Sequence, residues 1–185
     1  MTSYIFQQIS ENGRANNLNE TDQRKNSNKW FQSVLQTVNK NSLNNPNNVT
    51  TLIDVDSIGK MYMFAYDPKH KDTLPYYDRF PLLIPFNLKK DGFIGYNLHY
   101  LPPILRAKLM NLTYKKDGNQ TYNTLNGIST HRYFKPCIKQ YLRTHVQSSY
   151  LNIEPENWDL ALMLPVERFV KTSKQQVWKD SRGMV

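Results

Sequence analysis

The spacing of hydrophobic residues divides the chain into an N-terminal segment and a larger region. Residues 1–26 are polar and rich in asparagine, which predicts an extended arm that is ordered only by docking. The apolar residues of this arm include Tyr4, Phe6 and Ile9. In residues 28–40, apolar side chains recur every four positions from Trp30 onward, the pattern of an amphipathic helix. We therefore predict an arm and helix over residues 1–48 and a separate domain over residues 49–185.

The second region begins with patterns that are typical of β-strands. Residues 60–66 are rich in aromatic and sulfur-containing side chains and give the strongest strand prediction. Pro81 and Pro85 flank the next apolar run, so that strand must be an edge strand or a bulged one, because proline cannot donate to the ladder. The Asp-Gly pair at residues 91–92 predicts a hairpin turn. This order predicts an α+β fold: a small, partly open β-barrel of the SH3 or OB type with flanking helices.

Later segments carry helical or mixed patterns. Leucines recur with helical spacing from Leu101 to Leu112 and predict a helix with Arg106 outside its apolar face. Residues 115–127 predict a flexible connection, and residues 158–164 fit either a strand or a helix. Residues 135–145 predict a second helix. Its cations recur every four positions and form one line: Lys135, Lys139 and Arg143.

The net charge of the chain indicates what kind of partner this line of cations would bind. The chain has 24 lysines and arginines against 15 acidic residues, a net charge of +9, which favours polyanionic partners such as nucleic acid. We predict a nucleic-acid contact formed by Arg132, Lys135, Lys139, Arg143, Lys89 and Lys90. No base-reading motif accompanies these residues, so binding would be independent of sequence. The alternative is an ordinary solvated helix face.

Residues 76–79 allow two interpretations. The first is a surface on which the tyrosines stack bases while Arg79 meets phosphate. The second is a structural corner in which Asp78 pairs or caps neighbouring backbone, and the prolines on both sides favour it.

The sequence contains few candidate catalytic residues. Asp54 and Asp56 form a D-x-D pair, which binds a divalent cation in some enzymes but occurs often by chance. The single cysteine, Cys137, is expected to be a small core residue rather than a nucleophile. We therefore expect no catalytic residue, no bound metal and no cofactor. No apolar run approaches the length of a membrane span, so we expect no membrane contact.

Several segments resemble small proteins encoded by T4-like tailed bacteriophages. They are GKMYMFAYDPKHKDTLPYYDRFPLLIPF, GFIGYNLHYLPPILRAKL, KPCIKQYLRTHV, LPVERF and VWKDSR, which together cover roughly residues 58–182. The resemblance implies a phage origin and a virion or DNA-handling role, such as a head, neck or baseplate component.

Two functional hypotheses follow. The first is a non-enzymatic structural or assembly protein of the virion, assembled in the host cytoplasm, that docks on other phage virion proteins. Its contacts would lie in the N-terminal segment, at Tyr4, Phe6, Ile9 and Trp30. The alternative is a sequence-independent DNA-binding accessory protein that acts on phage DNA or on DNA ends.

Overall fold

The structure, a computed structural model, describes residues 49–114, 118–163 and 167–183, with a few residues before them. Those few are all helical: Thr21, Asp22, Lys25, Asn26, Asn28, Lys29 and Gln32. Helical backbone at 28, 29 and 32 agrees with the predicted helix. The prediction of an extended arm is wrong for the described residues between 21 and 26. Asp22 and Lys25 lie one helical turn apart there, with carboxylate and ammonium 3.9 Å from each other.

A six-stranded antiparallel sheet lies at the centre of the described region. Its strands, in the spatial order β1-β7-β2-β4-β5-β6, are β1 (Val49–Thr50), β2 (Met61–Met63), β4 (Leu82–Lys89), β5 (Gly92–Asn97), β6 (Ile138–Leu142) and β7 (Tyr150–Ile153). A separate antiparallel ribbon joins β3 (Tyr77–Asp78) to β8 (Phe169–Val170). The helices are α1 (Pro103–Thr113), α2 (Gly118–Ile128), α3 (Trp158–Met163) and α4 (Lys174–Gly183).

The predicted mixture of helices and sheet is confirmed, but the predicted barrel is not found. Among the described strands, no pairing joins β1 to β6, so the sheet is open. After β5 the chain leaves the sheet through a 3-10 turn at Leu98–Tyr100, and Pro102 and Pro103 lead it into α1. The chain returns only at β6, which pairs with β5 and with no other strand of the described sheet.

The strand flanked by Pro81 and Pro85 was predicted to be either an edge strand or a bulged one, and the structure confirms the bulge. β4 lies between β2 and β5, so it is not an edge strand, and its register with β5 shifts between Pro85 and Asn87. Lys89 pairs with Gly92 across the predicted hairpin turn. At Gly95, a Cβ would lie 2.8 Å from the Ile84 carbonyl oxygen, so only glycine allows β4 and β5 to approach this closely.

Two predictions of local structure are wrong. Most of the predicted connection at residues 115–127 belongs to α2, in which Thr121 and Leu125 are buried one turn apart. The predicted helix at residues 135–145 consists of a 3-10 turn, β6 and another 3-10 turn. Its backbone is extended because all five residues of β6 pair with β5.

Helices cover one face of the sheet, and a cluster of aromatic rings covers the other. The first core includes Ile84 and Tyr96 of the sheet with Leu109 of α1 and Leu125 of α2. The second is centred on Phe64. Its ring centroid lies 5.0 Å from that of Tyr150, 5.4 Å from that of Tyr141 and 6.0 Å from that of Phe93. Each helix that the structure describes is too short or too polar to span a membrane.

Buried polar side chains fasten the ribbon to the sheet. The Asp78 carboxylate lies 2.7 Å from Nδ1 of His99 and accepts a hydrogen bond from the Asn97 amide. The same amide donates to the Tyr141 hydroxyl at 3.0 Å. Asp78 also accepts from the backbone N–H groups of Phe80 and Arg168. The structural-corner interpretation of residues 76–79 is therefore confirmed.

A second buried polar group holds the C-terminal segment. Arg106, predicted to lie outside the apolar face of α1, has only 1% of its surface exposed. Its guanidinium donates to the Leu101 carbonyl at 2.7 Å and to the Glu167 carboxylate at 2.5 Å. The prediction is wrong because Arg106 reaches inward to a carboxylate distant in sequence. Trp178 of α4 completes the contact by donating to the His99 carbonyl at 2.9 Å.

Candidate nucleic-acid interface

The predicted cations lie on β6, an edge strand of the sheet, and near its two ends. They do not form one face of a helix, because residues 135–145 are not α-helical. At one end, the turn between β4 and β5 carries the exposed Lys89 and Lys90. Arg143 meets this turn as β6 ends. Its guanidinium donates to the carbonyls of Lys90 and Ile53, both at 3.3 Å. These contacts fix the guanidinium beside the two lysines, and we call Lys89, Lys90 and Arg143 the turn group.

The opposite end of β6 carries Arg132 and Lys135, both exposed. They project from the segment before the strand, which is anchored by the buried side chains of Phe134 and Cys137. The Arg132 guanidinium lies 4.9 Å from the ring centroid of Tyr133 and donates to its hydroxyl at 2.9 Å. We call Arg132 and Lys135 the distal group.

Lys139 differs from the other predicted cations. It lies in the middle of β6 and is partly buried, with its ammonium 4.2 Å from the ring centroid of Tyr100. Burial lowers the pKa of Lys139. Its charge is therefore less available to a partner than the charges of the exposed Lys135 and Lys89.

The two groups lie at opposite ends of β6, a strand of five residues that is about 13 Å long at ~3.3 Å per residue. The length of the strand itself corresponds to about four base pairs of duplex DNA. Between residues 118 and 153 the sequence contains no aspartate or glutamate, so no acidic side chain from this segment neutralises the strand. Two carboxylates from elsewhere, those of Asp78 and Glu167, are buried in the polar contacts described above. The arrangement suits sequence-independent contact with phosphates.

Other candidate chemistry has structural explanations. The Asp54 carboxylate accepts hydrogen bonds from the backbone N–H and the hydroxyl of Ser57, so it caps the 3-10 turn at Val55–Ser57. Cys137 is fully buried, and burial raises the pKa of its thiol, as the core-residue interpretation requires. Within the described residues, no three His, Cys, Asp or Glu side chains are grouped so as to hold a metal ion.

The structure also shows surface residues that sequence reasoning did not connect. Arg79 and Arg168 lie opposite each other where the β3–β8 ribbon continues, with the Arg79 N–H donating to the Arg168 carbonyl at 3.0 Å, and both are exposed. Ile104 and Tyr133 are exposed apolar residues near the distal group. In the sequence, Ile104 lies outside the leucine repeat of α1, and Tyr133 lies in a basic segment. An apolar side chain outside the buried pattern was the one available indication that each is exposed.

A comparison with protein families matches residues 3–181 to the family described as Phage T4 terminal DNA protecting protein. The chain belongs to this family. Membership confirms the resemblance to T4-like phage proteins, and it favours the DNA-binding alternative over a head, neck or baseplate role. No curated protein and no solved structure matches the chain. The predicted partner contacts Tyr4, Phe6, Ile9 and Trp30 lie outside the described residues, so they stay predictions.

Proposed function

We propose that this protein binds the ends of linear phage DNA without regard to sequence and protects them by covering them. The match to the terminal DNA protecting family carries the proposal, because it spans residues 3–181 and so includes both groups of cations along β6. The acid-free segment 118–153 supports the proposal, since no side chain of this segment repels phosphates; the turn group has one exposed acidic neighbour, Asp91.

In this mechanism the protein acts by binding rather than by chemistry. The turn group and the distal group contact phosphates at the two ends of β6, which is about 13 Å long, and each contact releases counterions from the DNA. The bound protein then blocks access to the terminal nucleotides. The proposal therefore retains the expectation of a non-enzymatic protein.

The proposal is tested by comparing two forms of one DNA, a linear duplex and the same sequence as a relaxed, covalently closed circle. The circle offers the same phosphates and no ends. We expect the linear form to bind more tightly at equal nucleotide concentration, in a filter-binding or anisotropy competition assay. If the linear and circular forms bind with equal affinity, the protein binds DNA generally and does not recognise ends, which would overturn the proposal.

We also propose that the protein accompanies the ends of phage DNA in the virion after assembly in the host cytoplasm. Docking on other virion proteins through the N-terminal segment is part of this proposal. Quantitative mass spectrometry of purified particles tests it. A few copies per particle would match the small number of DNA ends, and absence from particles would reject the virion location.

A further inference from the structure

An exposed apolar depression lies beside the distal group, and phosphate binding makes no use of it. Its volume is about 320 Å³, and it is bounded by the start of α1, by Tyr133 and by the end of α4. Two large apolar side chains at this depression are open to solvent: Ile104 is 62% exposed and Tyr133 is 40% exposed. We call Ile104, Tyr133 and the depression between them the end platform.

The end platform is surrounded by positive charge. Lys108 is exposed and follows Ile104 by four residues on α1, so both lie on the same side of that helix. Arg182 lines the depression from α4, and its Nε donates to the Trp178 carbonyl at 3.2 Å. Arg132 of the distal group completes the rim through its contact with Tyr133. The carboxylate of Asp180, two residues before Arg182, accepts a hydrogen bond from the Gln176 amide at 2.6 Å.

We propose that the end platform receives the exposed face of the terminal base pair of duplex DNA, while the rim cations hold the adjacent phosphates. This inference rests on the proposed function. A base pair inside a duplex is covered on both faces by its neighbours, whereas a terminal pair leaves one flat apolar face in water. Contact with that face distinguishes an end from the interior without reading sequence, because every base has a stacking surface.

Charge and size favour this occupant over other apolar ones. The three rim cations are Lys108, Arg132 and Arg182. They match the phosphates that flank a terminal base pair, whereas they would repel the same basic surface on a second copy of this chain. A volume of about 320 Å³ is also near the lower limit for small-molecule pockets. It therefore fits a flat ring system better than a helix from a protein partner.

The test compares a short duplex with open blunt ends and the same duplex closed by hairpin loops, which cover both terminal base pairs. The platform variant Ile104→Ser/Tyr133→Ser removes the apolar contact. We expect it to lose about fivefold or more in affinity for the open duplex, the low end of the loss from one base–aromatic stack. Its affinity for the closed duplex should fall by a smaller factor, because there only the positioning of Arg132 by Tyr133 is lost.

A matched control removes the same kinds of side chain elsewhere. Val55 and Tyr122 are 74% and 42% exposed and line a different cavity of about 1050 Å³. The variant Val55→Ser/Tyr122→Ser should bind both duplexes as the wild type does. A third variant, Arg132→Gln/Lys135→Gln, removes two cations while Ile104 and Tyr133 stay in place, and it should weaken binding to open and closed duplexes alike. Thermal unfolding of each variant confirms that it is folded.

The possible outcomes separate this inference from the proposed function. If the wild type prefers open ends and the platform variant keeps that preference, the end platform is overturned and the proposed function stands. If the wild type binds open and closed duplexes equally, the proposed function fails and the inference fails with it. If the platform variant converts a dimer into a monomer in sedimentation while its preference for open ends persists, the surface is a self-association site and the inference is overturned.

Discussion

Individual residues explain why the buried polar contacts could not be read from the sequence. Arg106 lies among leucines at helical spacing, and Glu167 is 61 positions away, so no local pattern indicates their contact. Burial opposes ionisation of Glu167. The charge of Arg106, with weaker contributions from His99 and Lys174 and the hydrogen bond from Arg106, more than compensates and lowers the Glu167 pKa to about 2. At neutral pH the folded protein therefore holds Glu167 as an anion.

We expect Glu167→Gln to lower the free energy of unfolding by about 3–5 kcal/mol at pH 7, because it leaves the buried Arg106 charge unpaired. The pH dependence gives a second signature. The folded-state pKa of Glu167 lies below its unfolded value of about 4.3, so the ion pair contributes fully above that pH and is lost as pH falls toward about 2. The difference between wild type and variant should therefore shrink on acidification, as measured by urea unfolding at several pH values. A difference that is constant across this range would contradict the account.

Secondary-structure elements show which parts of the fold the sequence determines locally. Strand β2, the bulge in β4, the hairpin turn and helix α1 follow from local patterns, and the structure contains each of them. Strand β6 was assigned wrongly because its cations happen to recur at helical spacing. Its conformation is set by pairing with β5, a contact between segments more than forty residues apart. The short ribbon of β3 and β8 depends on a still more distant pairing, which local patterns do not reveal.

The attachment of β6 to the sheet depends on Gly92. A Cβ at this position would lie 1.9 Å from the Tyr141 carbonyl oxygen, which is much too close. We expect Gly92→Ala to destabilise the protein by about 1–3 kcal/mol or more and to weaken DNA binding, because β6 carries the cations. Gly127→Ala is the matched control. No atom lies within 4 Å of a Cβ there, and an alanine within α2 should stabilise the protein by up to about 1 kcal/mol. Chemical denaturation measures the free energy of unfolding of both variants. If Gly92→Ala is as stable as Gly127→Ala, the close packing of β6 on β5 at Gly92 is contradicted.

The charge distribution over the whole molecule was predicted better than its geometry. Composition indicated a polyanionic partner, and five of the six predicted cations lie at the two ends of β6. The sequence did not show that Lys139 packs on Tyr100, nor that Ile104, Tyr133 and Arg182 line one depression. Those contacts join segments that are distant in the chain, and they form only when the sheet and helices assemble.

The salt dependence of DNA affinity tests the phosphate contacts of the whole molecule. We expect the logarithm of the affinity for duplex DNA to fall linearly with the logarithm of salt concentration. Arg132→Gln/Lys135→Gln should reduce the slope by about one for each lost phosphate contact. The control Lys60→Gln/Lys69→Gln removes the same charge from exposed positions outside the two groups. If the control reduces the slope as much as the distal variant, the DNA does not lie along β6.

Protection of DNA ends from an exonuclease tests the central claim most directly. A linear duplex is incubated with the protein and then with a processive double-strand exonuclease, and the surviving full-length DNA is measured over time. We predict that the wild type slows degradation at concentrations that saturate the ends, whereas Arg132→Gln/Lys135→Gln requires more protein for the same effect. Degradation at the unprotected rate, with wild-type protein bound at saturation, would contradict the account.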